Sequence, residues 1–188
     1  MDILLVIPRA FWLLLPMLIP NSIAVLVGGG AAIDLGRKMK DGTRVFGDGK
    51  TWRGLIGGVL LSTGLGILQW RLALELDEPD WLWSEEFFPT LFILFLMAFG
   101  AMLGDLVGSF IKRRKKKAQG AEFPILDQYD FFIVAVLLLL ILQFTWFVDN
   151  FIDGEYLVGF IGIIILIPLL HRGLNIIGYK LGKKDVPW

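Results

Sequence analysis

Five apolar stretches, each about twenty residues or longer, take up most of this 188-residue chain. They fall at 7–32, 54–74, 88–111, 125–148 and 156–174, and each can cross the hydrocarbon of a bilayer. A backbone in that medium must satisfy its polar groups internally. The stretches also lack the apolar–polar alternation of a membrane barrel, so the sequence predicts an all-α integral membrane protein of five transmembrane helices in one polytopic domain. There is no cysteine, which excludes disulfides, thiolate metal sites and cysteine nucleophiles together.

The formal net charge is zero, but the charges are sorted along the chain. The segment 33–53 carries Arg37, Lys38, Lys40, Arg44, Lys50 and Arg53; 112–124 opens with six consecutive cations, Lys112 to Lys117; the tail adds Arg172, Lys180, Lys183 and Lys184. The intervening loops hold Glu75, Asp77, Glu78, Asp80, Glu85 and Glu86, then Asp149, Asp153 and Glu155. Cations collect on the cytoplasmic side, so this alternation predicts an outside N-terminus and a cytoplasmic C-terminus in a cell membrane. No basic start or small-residue cleavage site marks the first stretch as a signal peptide, and it is expected to be retained. Trp81, Trp83, Trp146 and Trp188 fall near stretch ends and are expected to anchor at the interface.

Polar chemistry gathers in the two basic cytoplasmic segments. In the first, Gly42, Gly47 and Gly49 allow backbone conformations that turn amides toward an anion, while Lys50, Thr51 and Arg53 supply donors for phosphate oxygens. GDGKT is not a nucleotide P-loop, because the spacing from the first glycine to Gly-Lys is too short and no buried strand precedes it. The competing reading is a loop whose cations only orient the protein. In the second segment, Asp105, Ser109 and Lys112 recur at helical spacing on one face, with Arg113 adjacent, and Asp127 and Asp130 share a face at the start of the fourth stretch. Carboxylates at a membrane edge are rare unless paired, hydrated or metal-bound. Three converging aspartates with only oxygen ligands suggest a hard cation, Mg²⁺ first and Mn²⁺ second. The competing arrangement is a helix cap at Asp127 with an ion pair from Asp105 to a lysine. The run Lys112 to Lys117 suits anionic head groups. Pinned at the bilayer and without interleaved aromatics, it does not suit nucleic acid. Asn21 and Ser22, preceded by Pro16 and Pro20, interrupt the first stretch and are candidates for one wall of a lipid groove, with a kink for packing alone as the equal competing reading. His171, at the end of the fifth stretch, is read as structural.

These motifs, PNSIA from Pro20, FGDGKTWRG from Phe46, GDLVGSFIKRR from Gly104 and PILDQYDF from Pro124, resemble the CDP-archaeol synthase family across essentially the whole chain. The broader cytidylyltransferase pattern appears as Ser109, Lys112, Arg113, Asp127 and Asp130. Longer members carry a Lys-Asp step and a histidine-glycine stretch where this chain has KKKAQGAEF. The resemblance implies transfer of CMP from CTP to an isoprenoid ether lipid phosphate in the membrane, with release of pyrophosphate. It further implies Mg²⁺ on Asp105, Asp127 and Asp130, catalysis by these with Lys112, and phosphate contacts from Gly49, Lys50, Thr51, Arg53, Ser109 and Arg113. A glycerol-phosphate acyltransferase would need no aspartate cluster. A transporter would place polar groups deep in several stretches, whereas the second and fifth hold little beyond Ser62, Thr63 and Gln69. A CDP-alcohol phosphotransferase would show denser aspartates along two consecutive helices.

Overall fold

The computed structural model describes residues 3–118 and 121–182. Lys183, Lys184 and Trp188 lie outside the described residues. Seven α-helices occur among the described residues: α1 Val6–Leu18, α2 Pro20–Val27, α3 Trp52–Glu75, α4 Phe87–Arg114, α5 Leu126–Leu142, α6 Phe144–Phe151 and α7 Tyr156–Lys180. Among the described residues there are no strands, only two isolated backbone bridges in the α2–α3 loop. Taken together, α1 and α2 form one stretch long and apolar enough to cross a membrane, as do α3, α4 and α7.

Helix α4 is the spine. Its Ile93, Leu94, Met97 and Ala101 pack with Leu13, Leu14 and Met17 of α1 in one continuous apolar core. It packs against α3 as well, and most closely against α5, where the approach comes from glycine at every fourth position, Gly100, Gly104 and Gly108. A Cβ at Gly100 would sit 2.6 Å from Ala135 Cα, and one at Gly104 or Gly108 would fall onto Asp130 or Phe131. Small residues on such a stripe let two membrane helices approach backbone to backbone.

Two features depart from the sequence reading. The fourth apolar stretch is not one rod: α5 ends at Leu142, and α6 leaves it at 119°. The turn is held by aromatic packing, with Phe147 and Phe151 of α6 buried against Phe160 of α7. The tryptophans form a second departure, since Trp83 is buried and donates from Nε1 to Leu13 O at 3.1 Å. Trp146 Nε1 donates to Trp83 O, and Trp12 Nε1 to Trp81 O, so these rings tie the end of the bundle with the acidic loops together. Arg9 completes the tie. Buried in α1, it donates to Asp80 O at 2.6 Å and Asn150 Oδ1 at 2.5 Å, with its guanidinium 4.3 Å from the centre of the Tyr156 ring.

At the opposite end, the break after Leu18 follows from Pro20, which offers no amide hydrogen to the preceding turn. Ile19 N still reaches Leu15 O at 3.3 Å, so α1 and α2 stay in line as one interrupted span. There the chain enters the long loop to α3, and the polar residues converge.

Candidate active site

The loop from Gly28 to Thr51 is built around one buried carboxylate, Asp34. It accepts from the amides of Gly36, Phe46 and Gly47 at 3.0–3.2 Å and from Arg44 Nη2 at 2.5 Å. The Arg44 guanidinium, with those amides, holds the Asp34 carboxyl well below the usual carboxylate range against the opposing effect of burial. Gly42 and Gly47 take positive φ, at 78° and 109°, which only glycine adopts without strain. The loop then returns beside its own start, Ile33 N donating to Lys50 O at 2.8 Å, which sets Lys50 and Thr51 at the mouth of α3. Thr51 caps that helix, its Oγ1 accepting from Gly54 N at 3.1 Å.

From there Lys50 crosses to α4 and pairs with Asp105 at 2.5 Å. A second pair joins α4 to the start of α5, Lys112 Nζ to Asp127 Oδ1 at 2.9 Å. The other oxygen of Asp127 accepts from Phe123 N at 3.0 Å, which fixes the turn into α5. Both pairs are partly exposed. Asp105, Asp127, Lys50, Gly49 and Thr51 line one cavity of about 460 Å³, together with Asn21 and Ser22 of α2 and His171 and Asn175 of α7. Its remaining wall is apolar, running along Phe11, Leu15, Leu18, Leu170 and Leu174 between α1 and α7. The space is thus amphiphilic, with the Lys50–Asp105 pair and Asp127 at one end and a hydrocarbon-lined arm leading away, while Lys112 holds Asp127 from outside the lining.

Several candidates lie elsewhere. Asp130 is buried behind the cavity wall against Gly104 and Gly108, its Oδ1 accepting from Phe131 N at 2.6 Å. Ser109 is buried and Arg53 is exposed, and neither lines the cavity. Arg113 faces a separate depression. The three aspartates therefore do not surround a common point, and no group of three or more potential metal-ligating side chains occurs among the described residues. Lys50 and Lys112 relieve part of the repulsion among these carboxylates, and the pair from Asp105 to a lysine is the arrangement the competing reading required. Asp105 and Asp127 still form an oxygen-only donor set on one cavity wall. That set suits a cation such as Mg²⁺, which uses one or two carboxylates and takes its other ligands from phosphates and water.

Sequence reasoning passed over three residues. Asp34 carried no motif beyond a lone acid among cations. His171 and Asn175, one helical turn apart with His171 Nδ1 3.2 Å from Asn175 Nδ2, line the cavity because α7 runs on to Lys180, beyond the expected end at 174. The one available signal was their i, i+4 spacing.

A family model described as "CarS-like: CDP-archaeol synthase" matches residues 2–188. The chain belongs to the CDP-archaeol synthase family. Proteins named CDP-archaeol synthase from Methanocorpusculum labreanum and Archaeoglobus fulgidus are both 44% identical to it, over 93% and 96% of this chain and 100% and 97% of theirs. That of Thermococcus onnurineus is 45% identical over 95% of each chain. A solved structure described as an intramembrane enzyme for archaeal membrane lipids biosynthesis superposes with a TM-score of 0.66 at 32% identity, covering 90% of this chain and 94% of that one. Membership of the CDP-archaeol synthase family makes the chain a multi-pass membrane enzyme of lipid synthesis, a cytidylyltransferase, and sets aside the acyltransferase, transporter and phosphotransferase alternatives.

Proposed function

We propose that the protein joins CTP to an isoprenoid ether-linked glycerol phosphate, 2,3-di-O-geranylgeranyl-sn-glycerol 1-phosphate, to give the CDP-lipid and pyrophosphate. The observation that carries this is the amphiphilic cavity, with Lys50, Asp105 and Asp127 at the head of an apolar arm and Lys112 paired to Asp127 just outside it. An ether lipid phosphate fits that shape, its chains along Leu15, Leu170 and Leu174 and its head group toward the lysines. One oxygen of the lipid phosphate attacks the α-phosphorus of CTP as the bond from that phosphorus to the β-phosphate oxygen breaks. A lipid phosphate is ionised at neutral pH, so no strong general base is required.

The work left to the protein is positioning and charge stabilisation. Lys50 and Lys112 turn from their carboxylate partners to phosphate oxygens, while Gly49 and the capped Thr51 hold the loop against the nucleotide. Asp105 and Asp127, released from the lysines, would hold Mg²⁺, with Mn²⁺ as a substitute, which neutralises the triphosphate and the leaving pyrophosphate when bound. Asp130 supports the reaction from behind by fixing the α4–α5 contact. The charge sorting of the chain, with the basic loops at the end that carries the cavity, supports a cytoplasmic active site.

The test is pyrophosphate release by purified protein in detergent, comparing CTP with ATP, GTP and UTP, with and without the lipid phosphate and Mg²⁺. Release that requires CTP, lipid and Mg²⁺ together is expected. Release without the lipid, or equal release with all four nucleotides, would sink the assignment of substrates, and undiminished release in chelator would sink that of the metal.

A further inference from the structure

Helix α7 is bedded in the bundle along one half of its length only. From Tyr156 to Ile167 it presses on its neighbours: Gly159, Phe160, Ile163 and Ile167 are buried, and a Cβ at Gly159 would fall onto Val6 O of α1. Beyond Pro168, Asn175 alone is buried among the described residues, and a Cβ at Gly173 would meet nothing within 4 Å. That second half is nonetheless a wall of the substrate cavity, through Leu170, His171, Leu174 and Asn175.

Pro168 divides the two halves. Its ring nitrogen carries no hydrogen, so the carbonyl of Ile164, four residues back, loses the donor that an uninterrupted helix would give it. In hydrocarbon no water replaces that donor, and a neighbouring helix has to. Tyr129 of α5 does so, its hydroxyl donating to Ile164 O at 3.0 Å. Helices bend where they contain proline, and here the bond that closes the gap comes from outside the helix. Tyr129 lies two residues after Asp127, about 200° further round α5, so one turn presents a carboxylate to the cavity and a hydroxyl to α7.

We propose that α7 beyond Pro168 is a hinged wall of the substrate cavity and that Tyr129 is its latch, a positioning residue for the lipid substrate. With the latch made, Leu170 and Leu174 stand at a fixed distance from Leu15 and Leu18, and the apolar arm keeps its width. With it broken, the half-helix pivots about Pro168 and the arm changes width, while the Lys50–Asp105 end, built on the α2–α3 loop and α4, stays in place. The lipid role rests on an ether lipid phosphate being the substrate; the hinge does not.

The chain has no cysteine, so spin labels can be placed singly and cleanly. Electron–electron resonance distances are measured on the full chain in neutral detergent for two labelled pairs at exposed positions. Leu60→Cys with Tyr179→Cys reports across the hinge, and Leu60→Cys with Ile161→Cys reports before it. Tyr129→Phe, which removes only the hydroxyl, is expected to broaden the first distribution and leave the second unchanged. Pro168→Ala restores the missing amide donor, so Tyr129→Phe/Pro168→Ala is expected to return the first distribution to its original width. In unlabelled protein, Tyr129→Phe is expected to raise KM for the lipid phosphate by roughly fivefold, the scale of one lost hydrogen bond, with KM for CTP within about twofold of wild type. Pro168→Ala is expected to rescue that change too. An unchanged first distribution, equal broadening of both pairs, or no rescue would overturn the hinge, and KM values that stay put or rise equally would overturn the lipid role. If Tyr129→Phe alone does not fold, Pro168→Ala and Tyr129→Phe/Pro168→Ala must match in distances and KM, and a difference between them overturns the latch. The distances need no turnover, so failure of the hinge is distinguishable from failure of the substrate assignment.

Discussion

At the scale of single residues, the site depends on partners that relieve one another. Asp105 and Lys50, at 2.5 Å, each make the other tolerable at the edge of a membrane. Replacing Asp105 or Asp127 with Asn is expected to lower turnover by about 10²–10³, the range typical of losing one preorganised electrostatic contact. Unfolding midpoints should move little, because partly exposed pairs contribute on the order of 1 kcal/mol or less. Pyrophosphate release and thermal unfolding on the same samples check this, and wild-type turnover in either variant would remove that aspartate from the chemistry. Asp34 behaves differently, since it accepts hydrogen bonds from three amides and Arg44 within the loop. Asp34→Asn should cost about 2 kcal/mol through lost charge-assisted bonds and should expose the loop to protease cleavage at Arg37 and Lys38. Its depressed carboxyl fixes the sign of the pH effect. The unfolded carboxyl titrates near pH 4, so the stabilisation is complete above that value and is lost as pH falls through the lower folded value. Loop protection against hydrogen exchange, followed from pH 7 downward, should fail in the variant at every pH and in wild type only in strong acid.

At the scale of helices, the α4–α5 contact shows what the sequence could and could not tell. The apolar stretches announced both helices, and the cluster of Asp105, Lys112 and Asp127 announced that their ends meet. The distance between them was also written in the chain, as glycine at 100, 104 and 108, a spacing readable as a small-residue stripe. What could not be read was that Asp130 backs onto that stripe. A carboxylate three residues from Asp127 looks like a partner in the same site until the partner helix is known to press against it. Gly108→Ala should therefore push α5 away from α4 and displace Asp130, costing about 1–3 kcal/mol and lowering turnover as the Lys112–Asp127 pair shifts. A thermal melt beside a turnover assay tests it; an unchanged melt would mean that α5 yields without cost. The turn at Gln143 was illegible for another reason. Apolar residues continue through 125–148, and the aromatic neighbour that draws α6 aside, Phe160, comes from α7, beyond that stretch.

At the scale of the whole molecule, the two ends of the bundle do different work. One end carries the cavity and the basic loops. The other is clamped by Arg9, Trp12, Trp83 and Trp146, which link α1 to the two remote acidic loops. Arg9→Met leaves the carbonyl oxygens of Asp80 and Asn150 without their donor and is expected to cost roughly 3 kcal/mol, with turnover at low temperature kept, since Asn21 lies about 18 Å further along α1 and α2. Inactivation half-life on heating, set beside initial rate at 20 °C or so, separates the two roles, and equal loss of both would show that the clamp also shapes the cavity. Charge sorting made the division into two ends readable. The clamp itself was not, because an arginine near the start of an apolar stretch reads as an ordinary flanking cation.

The angle at Gln143 also bears on the membrane around the protein. Up to the bend at Gln143, α5 has 17 residues and a rise of about 25 Å, against a hydrocarbon thickness of about 30 Å. On this flank the protein is shorter than the bilayer, while α4, with 28 residues, is longer. Lipids beside α5 must compress or tilt their chains, and that local thinning draws head groups down toward the level where Asp127 begins the helix. A substrate that arrives by diffusing in the plane of the membrane then meets the enzyme where its phosphate already lies deeper than in the surrounding bilayer.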